Sequence, residues 1–173
     1  SFFMVTVMVG QSVIEEPSYG AAKWINDNAE EEGLHYPSNY VFSPWGRNRM
    51  YNYYVHGDGR SYRYAQRFYP EFIASNDAER WFQVLSDKPV GYVVTHGSET
   101  RSGEQSMSLL LHESWGSTTS NAVGIGHYRS VYSSTDGTVK VFRLVPGAML
   151  IGTAEANSSH LISTEVNIAG IEQ

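Results

Sequence analysis

Residues 40–48 read Tyr-Val-Phe-Ser-Pro-Trp-Gly-Arg-Asn and carry the clearest structural signal in the chain. The first three residues are aromatic or β-branched, which favours a short buried strand. Pro44 and Gly46 flank Trp45, and proline and glycine are the residues most typical of turns. The stretch therefore predicts a buried strand that ends in a turn presenting an indole ring.

Helices are predicted on both sides of this strand. Residues 19–32 follow a proline and two acidic residues and precede Gly33, which are typical helix start and stop signals. Residues 60–73 favour a helix that Pro70 interrupts, because proline cannot donate the next hydrogen bond of the ladder. A further helix is predicted for residues 76–85, which begin with the capping-box pattern Asn-Asp-Ala-Glu.

Strand patterns dominate the second half of the chain. Residues 90–95 form a β-rich run of the fully buried kind. Residues 128–133 and 138–145 flank a Ser-Thr-Asp-Gly turn and predict a hairpin. Residues 107–113 fit either a short helix or a strand, and residues 148–169 fit two or three small strands. The predicted class is α+β, with helices around a small mixed or antiparallel sheet and a β-rich C-terminal subregion.

Composition excludes several classes of protein. The 173 residues fit one domain, and the absence of cysteine excludes disulfide frameworks, zinc–thiolate sites and thiol nucleophiles. A net charge of −6 argues against general nucleic-acid binding. The histidines lack metal-binding spacing, and the sequence contains neither a serine-hydrolase elbow nor a phosphate-binding loop. We therefore predict no metal site, no nucleic-acid partner and no self-contained enzyme.

The charge is unevenly distributed along the chain. Residues 34–70 carry five arginines and one acidic residue, a charge of +4, which leaves −10 on the rest. Eight of the 12 tyrosines lie in the same segment. Arginine and tyrosine together suit peptides, sugars or phosphate groups, because planar groups stack and guanidinium groups bind oxyanions. The alternative is that the rings pack inward and the arginines form a solvated face.

The chain is predicted to have three parts. Residues 1–10 carry no charge and fit either a buried strand or the end of a membrane helix. Residues 11–147 are the α+β core domain, and residues 148–173 are a small β-rich tail packed on that core. No apolar run is long enough for a complete transmembrane helix. Asn157 begins an Asn-Ser-Ser glycosylation sequon.

The order of these features resembles the C-terminal globular domain of the catalytic subunit of archaeal oligosaccharyltransferases, the membrane enzymes of protein N-glycosylation. In that family an amphipathic helix leads to a strand ending in a Trp-Trp-Asp-Tyr-Gly motif, and helices, a β-run and a hairpin follow. Residues 40–46 would be the motif strand and residues 128–148 the hairpin. Trp45 is the residue that matches the motif. Residues 1–10 would then be the stump of a transmembrane helix or a linker.

The resemblance implies that the Trp45 turn binds the acceptor polypeptide at the Ser or Thr of its Asn-x-Ser/Thr sequon. An indole can supply an N–H donor and an apolar wall for that side chain. The aspartate of the motif has no counterpart, and Asn48 is expected to replace it on its chemistry alone. The predicted acceptor-binding residues are Pro44, Trp45, Gly46, Arg47 and Asn48. Further contacts to a groove or to lipid headgroups are expected from Arg49, Tyr51, Arg60, Arg67 and Ile73.

The family's chemistry takes place outside this domain. Its members bind a divalent cation, Mn or Mg, and the lipid-linked oligosaccharide in their membrane part. The resemblance therefore implies that this domain holds no catalytic residue and no cofactor, and that it is inactive alone. It also implies a membrane-anchored full-length protein with this domain on the external face of the cell membrane.

Two other functions fit the same residues. One is a non-catalytic peptide- or carbohydrate-binding module of a cell-surface protein, with the aromatic cluster as its site. The other is a structural cell-surface domain whose uncharged tail after residue 148 contacts another protein. Apolar spans with intramembrane acidic residues upstream would favour the transferase, and a soluble upstream domain would exclude it.

Overall fold

One mixed sheet with helices on both faces organises the chain. The computed structural model describes residues 15–97, 105–120, 123–147, 153 and 167–171. The elements, in chain order, are α1 (Glu16–Glu31), β1 (Tyr40–Phe42), α2 (Trp45–His56), α3 (Tyr62–Ala74), α4 (Ala78–Asp87), β2 (Val90–His96), a π-helical turn (Ser108–Glu113), β3 (Tyr128–Ser133) and β4 (Val139–Leu144). The predicted α+β class is confirmed.

The four strands are ordered β1-β2-β4-β3 across the sheet. β1 and β2 are parallel, with Phe42 opposite Val93, and the other two pairings are antiparallel. Three helices, α2 to α4, make the crossover between the parallel strands. The carboxyl ends of β1 and β2 therefore meet at one end of the sheet, which is where open α/β sheets usually bind ligands.

Side chains alternate between the two faces of the sheet, and each face has its own apolar core. α1 and α2 cover the first face, where α1 contributes mainly alanines and so approaches the strands closely. The buried residues of this face are Ala21, Ala22, Ile25, Ala29, Val41, Tyr51, Val55, Tyr92, Val94, Val131, Val139 and Val141. Its small and β-branched side chains fit a helix lying directly on a sheet.

The second face is richer in aromatic residues and is covered by α3, α4 and the π-helical turn. Its largest fully buried side chain is Trp81 of α4, and the Phe72 ring of α3 packs edge-on against it at 5.6 Å between ring centroids. Each large apolar side chain buried in this way contributes about 1.5–3 kcal/mol. The aromatic core therefore fixes α3 and α4, and with them the crossover that ends at β2.

Several predicted elements are confirmed. The helix predicted over residues 19–32 is α1, and the strand predicted over residues 90–95 is β2. The predicted hairpin is β3 and β4, and Gly137 in its turn has a φ of 71°, which glycine adopts without strain. The Asp136 carboxylate accepts hydrogen bonds from Ser134 and Thr138 in that turn. These bonds lower the pKa of Asp136 and explain the position of the turn.

Three details of the predicted helices are wrong. The turn at Trp45 is the first turn of the 12-residue helix α2, which the sequence did not indicate. α3 runs through Pro70 without a break; Pro70 and Gln66, whose carbonyl loses its partner, are both exposed and open to water. Asp77, rather than Asn76, caps α4 by accepting a hydrogen bond from the backbone N–H of Arg80.

The terminal parts of the chain are described only in part. Residues 1–10 and most of 148–173 lie outside the described residues, as does Asn157. In the described part of the tail, Ala169 pairs with β3: its carbonyl accepts from the N–H of Ser133 at 2.9 Å, and its N–H donates to Val131 at 3.0 Å. Among the helices that the structure describes, none is long and apolar enough to cross a bilayer.

Candidate functional site

Trp45 is the first residue of α2 and follows β1 after only Ser43 and Pro44. The Pro44 carbonyl accepts the N–H groups of Arg47 at 3.0 Å and Asn48 at 2.9 Å, which starts the helix. The side chain of Trp45 is 53% exposed, while the other three tryptophans are buried or half-buried. The structure therefore presents this indole at the carboxyl end of β1, as predicted.

Two asparagines of α2 hold β1 in place. The Asn52 side chain accepts from the N–H of Val41 and donates to its carbonyl, both at 2.9 Å. Asn48 donates to the same carbonyl at 2.8 Å and to the Ser43 hydroxyl at 3.2 Å. β1 is an edge strand, and these side chains satisfy the edge that faces away from β2. They fix the start of α2, and therefore Trp45, relative to the sheet.

Four predicted contact residues are buried, and Pro44, next to the exposed Trp45, is one of them. Asn48 is 0% exposed, because its amide is used on β1, so it cannot accept a peptide hydroxyl at the surface. Tyr51, which lies on α2, is also fully buried, in the apolar core on the first face of the sheet. Ile73 is 6% exposed and lies in the aromatic core on the second face of the sheet. Asn48, Tyr51 and Ile73 therefore serve the fold, and Pro44 starts α2 through its carbonyl.

A polar layer lies beneath the Trp45 turn, at the carboxyl end of β2. The Tyr51 hydroxyl and the Nε2 atom of His96 are 3.2 Å apart. Burial lowers the pKa of His96 to about 4, and the nearby charges of Arg47 and His112 act in the same direction. Arg47 itself is paired with Glu15 at 2.5 Å, at the rim of this layer. The layer therefore contains a neutral imidazole below a surface ion pair.

Stability should fall as the pH is lowered from about 6.5 to about 4. The folded pKa of His96 lies below its ordinary 6.5, so the unfolded chain binds the proton more readily in this range. Full protonation should cost up to about 3 kcal/mol of unfolding free energy. Urea denaturation as a function of pH measures the effect. His96→Gln should flatten the slope, and an unchanged slope would show that His96 does not cause it.

A second set of polar side chains, Thr95, His112 and Lys140, lies next to this layer. The Thr95 hydroxyl lies 2.9 Å from Nδ1 of His112, and the Lys140 ammonium donates to the His112 carbonyl at 2.5 Å. The Lys140 ammonium also lies 3.6 Å from the centre of the Trp115 ring. Burial lowers the pKa of both Lys140 and His112. These contacts anchor the π-helical turn to the sheet.

A cleft of about 1000 Å³ opens beside the exposed face of α2. We call it the Tyr/Arg cleft; its lining residues are Tyr19, Arg49, Met50, Tyr53, Tyr54, Gly59, Arg60, Tyr62 and Arg63. Its walls are α1, α2, the start of α3 and the loop between α2 and α3. Arg49 and Arg60 were predicted as groove residues, and the structure brings them together here.

Arginine side chains surround one tyrosine in the cleft. The Arg49 guanidinium lies over the Tyr62 ring, 3.7 Å from its centre. Arg63 and Arg49 lower the pKa of the Tyr62 phenol. Arg60 donates two hydrogen bonds to the Asp58 carboxylate, from Nη2 at 2.7 Å and from Nε at 3.0 Å. These bonds lower the pKa of Asp58 to about 2. The arginine pair Arg49 and Arg63 therefore provides the cleft's uncompensated positive charge.

Trp45 and the cleft lie along one side of α2. Trp45, Arg49 and Tyr53 follow each other at intervals of four residues, and all three are exposed. Side chains at this spacing are neighbours on a helix surface, with Cβ atoms about 5–6 Å apart. The indole and the cleft are thus adjacent parts of one surface.

The remaining predicted contacts lie elsewhere. Arg67 is exposed on α3, with its guanidinium 5.0 Å from the Phe68 ring centre, and it does not line the cleft. Sequence reasoning missed Tyr19; it named Tyr53, Tyr54, Tyr62 and Arg63 only as members of the segment rich in tyrosine and arginine, and not as groove contacts. Tyr53 could have been found from its spacing, because residues eight apart on a helix lie on the same face and Trp45 is eight residues before it.

The described residues do not form a metal site. No three His, Asp or Glu side chains in the described ranges lie close enough together to hold an ion.

The sequence matches no protein-family model. It also matches no curated protein. Among solved structures, the chain is similar to the crystal structure of the C-terminal globular domain of an oligosaccharyltransferase, AfAglB-S2, from Archaeoglobus fulgidus. The TM-score is 0.53 at 16% sequence identity, and the match covers 77% of this chain and 99% of that chain. The chain thus shares its fold with that C-terminal globular domain.

Proposed function

We propose that this chain is the acceptor-recognition domain of a membrane oligosaccharyltransferase. In this proposal the Trp45 turn holds the polypeptide whose Asn-x-Ser/Thr sequon receives the glycan. The observation that carries it is the 53% exposed indole at the carboxyl end of β1, in a fold shared with an oligosaccharyltransferase domain. An exposed tryptophan on a rigid helix terminus is a typical anchor for a peptide.

The surface around Trp45 suits a sequon. The indole ring offers a wall for the threonine methyl group, and its N–H is a donor for the hydroxyl. Gly46 is exposed, and a Cβ atom there would have no neighbour within 4 Å, so the peptide backbone can approach. Because Asn48 is buried, the role of hydroxyl acceptor passes to Glu15, whose exposed carboxylate pairs with Arg47 at the same end of α2.

Glycosyl transfer itself is assigned to the rest of the enzyme. The lipid-linked oligosaccharide and the divalent cation would bind in its membrane part, and this domain would face outward from the cell membrane. The chain's own residues then position the acceptor and take no part in bond formation. Rigid support of the anchor by Asn48 and Asn52 is what that role requires.

Trp45→Ala should weaken acceptor binding by the full-length protein by at least about tenfold, because a tryptophan anchor that becomes buried on binding is worth about 2 kcal/mol or more. A photoreactive Asn-x-Thr peptide is crosslinked to the protein over a range of concentrations, and the adduct is mapped. Trp45→Phe, which keeps the apolar wall, should recover part of the affinity.

Two controls make this result specific. Tyr36→Ala removes an aromatic ring that is 50% exposed, close to the 53% of Trp45, and that lies outside the first turn of α2. It should leave the crosslink unchanged. A peptide with alanine in place of the threonine should label the wild-type protein weakly. Equal labelling of wild type and Trp45→Ala would remove Trp45 from the site and overturn the proposal.

A further inference from the structure

We propose that the Tyr/Arg cleft binds an acidic oligosaccharide, one whose sugar rings carry carboxylate or sulfate groups. The proposal concerns the cleft alone and does not depend on the role of Trp45, which is not among the lining residues. It rests on charge, on exposed aromatic surface and on the kind of polar groups that the cleft offers.

The positive charge of the cleft favours binding of an anion. Within the described ranges, neither Arg49 nor Arg63 is paired with a carboxylate, and both are exposed. Arg60, in contrast, has its charge balanced by Asp58. The segment that contains these arginines carries +4 in a chain of net charge −6, so this positive patch is local. Guanidinium groups bind carboxylate and sulfate oxygens through two parallel hydrogen bonds.

The aromatic rings of the cleft suit sugar rings. Tyr53 is 70% exposed, and Tyr19 and Tyr54 meet edge-to-face with their ring centres 5.6 Å apart. Exposed ring faces offer apolar surface to the C–H faces of a sugar, and phenol groups both donate and accept hydrogen bonds. The Tyr54 and Tyr19 hydroxyls are 3.4 Å apart, a weak contact that a sugar hydroxyl can replace.

The polar groups of the cleft favour a saccharide over a peptide. Most of its walls are helical, and backbone groups inside a helix are used within that helix, while the outer edge of β1 is covered by Asn48 and Asn52. An extended peptide therefore finds no strand to pair with. A saccharide needs only side-chain partners, and guanidinium and phenol groups supply them. The volume of about 1000 Å³ is large for a single sugar and fits a short oligosaccharide.

Isothermal titration calorimetry on the 173-residue chain tests the proposal with trigalacturonate, a sulfated trisaccharide and neutral maltotriose. We expect saturable binding of an acidic trisaccharide that weakens with added salt, and at least about tenfold weaker binding of maltotriose. The tighter of the two acidic ligands identifies the anion that the site takes.

Three variants locate the site. Arg49→Gln and Arg63→Gln should each weaken binding by about tenfold, the worth of one charge-assisted hydrogen bond. Arg67→Gln is the matched control, because it removes an exposed arginine outside the cleft, and it should change the affinity by less than about twofold. Thermal unfolding of each variant checks that the fold is kept.

Four results would overturn the proposal. These are absence of saturable binding, equal binding of the neutral trisaccharide, equal losses for Arg67→Gln and Arg49→Gln, and tighter binding of an acidic tripeptide of the same charge. The last result would assign the cleft to peptides. None of the four depends on whether Trp45 binds a sequon, so the two proposals succeed or fail separately.

Discussion

Replacing Asn52 with alanine should lower the free energy of unfolding by about 3 kcal/mol. The substitution leaves the buried N–H of Val41 without its partner and removes a donor from the carbonyl of Val41 and from Asn48. A buried polar group left unpaired costs about 1–3 kcal/mol, and the lost side chain also leaves a small cavity. Urea denaturation of the two proteins at neutral pH measures the difference.

Asn26→Ala is the matched control for this substitution. Asn26 also lies in a helix and donates to a side chain four residues on, Glu30, but that bond is exposed to solvent. Its loss should change the unfolding free energy by less than about 0.5 kcal/mol. If Asn52→Ala lowered the unfolding free energy no more than Asn26→Ala, the hydrogen bonds between Asn52 and Val41 would not be what stabilises this edge of the sheet.

The sequence indicated most of the sheet but not α2, and the reason lies in how α2 is buried. Helices are normally recognised by an apolar stripe that faces the core. In α2 the buried face includes two asparagines, Asn48 and Asn52, while the exposed face carries Trp45 and Tyr53. The usual pattern is therefore reversed at these positions. Pro44 and Gly46 beside the tryptophan further favoured a turn.

The candidate site could be predicted only in part, because the sequence does not show which side chains of α2 are buried. The exposed indole of Trp45 and the arginines Arg49 and Arg60 were found from residue type and local charge. Asn48 was predicted as a contact on its chemistry and Tyr51 as part of the segment rich in tyrosine and arginine, yet here they hydrogen-bond to buried groups of β1 and β2. Such pairing depends on contacts between elements, which local spacing does not reveal.

α2 thus has two functions on two faces. Its inner face holds the edge of the sheet through Asn48 and Asn52, and its outer face presents Trp45 and Arg49. Substitutions on the outer face should leave stability nearly unchanged, because they remove no buried contact. Substitutions on the inner face should lower stability and displace the anchor together. This difference separates a binding defect from a folding defect in the variants proposed above.

Gly91→Ala should destabilise the protein by about 3 kcal/mol, at the upper end of what overpacking usually costs. Gly91 lies near the start of β2, and a Cβ atom there would overlap the carbonyl oxygen of Ser38 and lie 3.2 Å from the Cα of Asn39. Both neighbours are backbone atoms in the segment that leads into β1, so no side chain can rotate to make room. The added methyl group must therefore push β1 away from β2.

The displacement of β1 gives this variant a second readout. β1 leads within two residues to Trp45, so acceptor crosslinking by the full-length Gly91→Ala protein should weaken together with its stability. Gly46→Ala is the matched control for stability alone, since a Cβ atom there meets nothing within 4 Å and alanine favours a helix by about 1 kcal/mol over glycine. That variant should be as stable as the wild type or slightly more stable. A Gly91→Ala protein with wild-type stability would mean that β1 and β2 tolerate a wider separation than their close backbone contact implies.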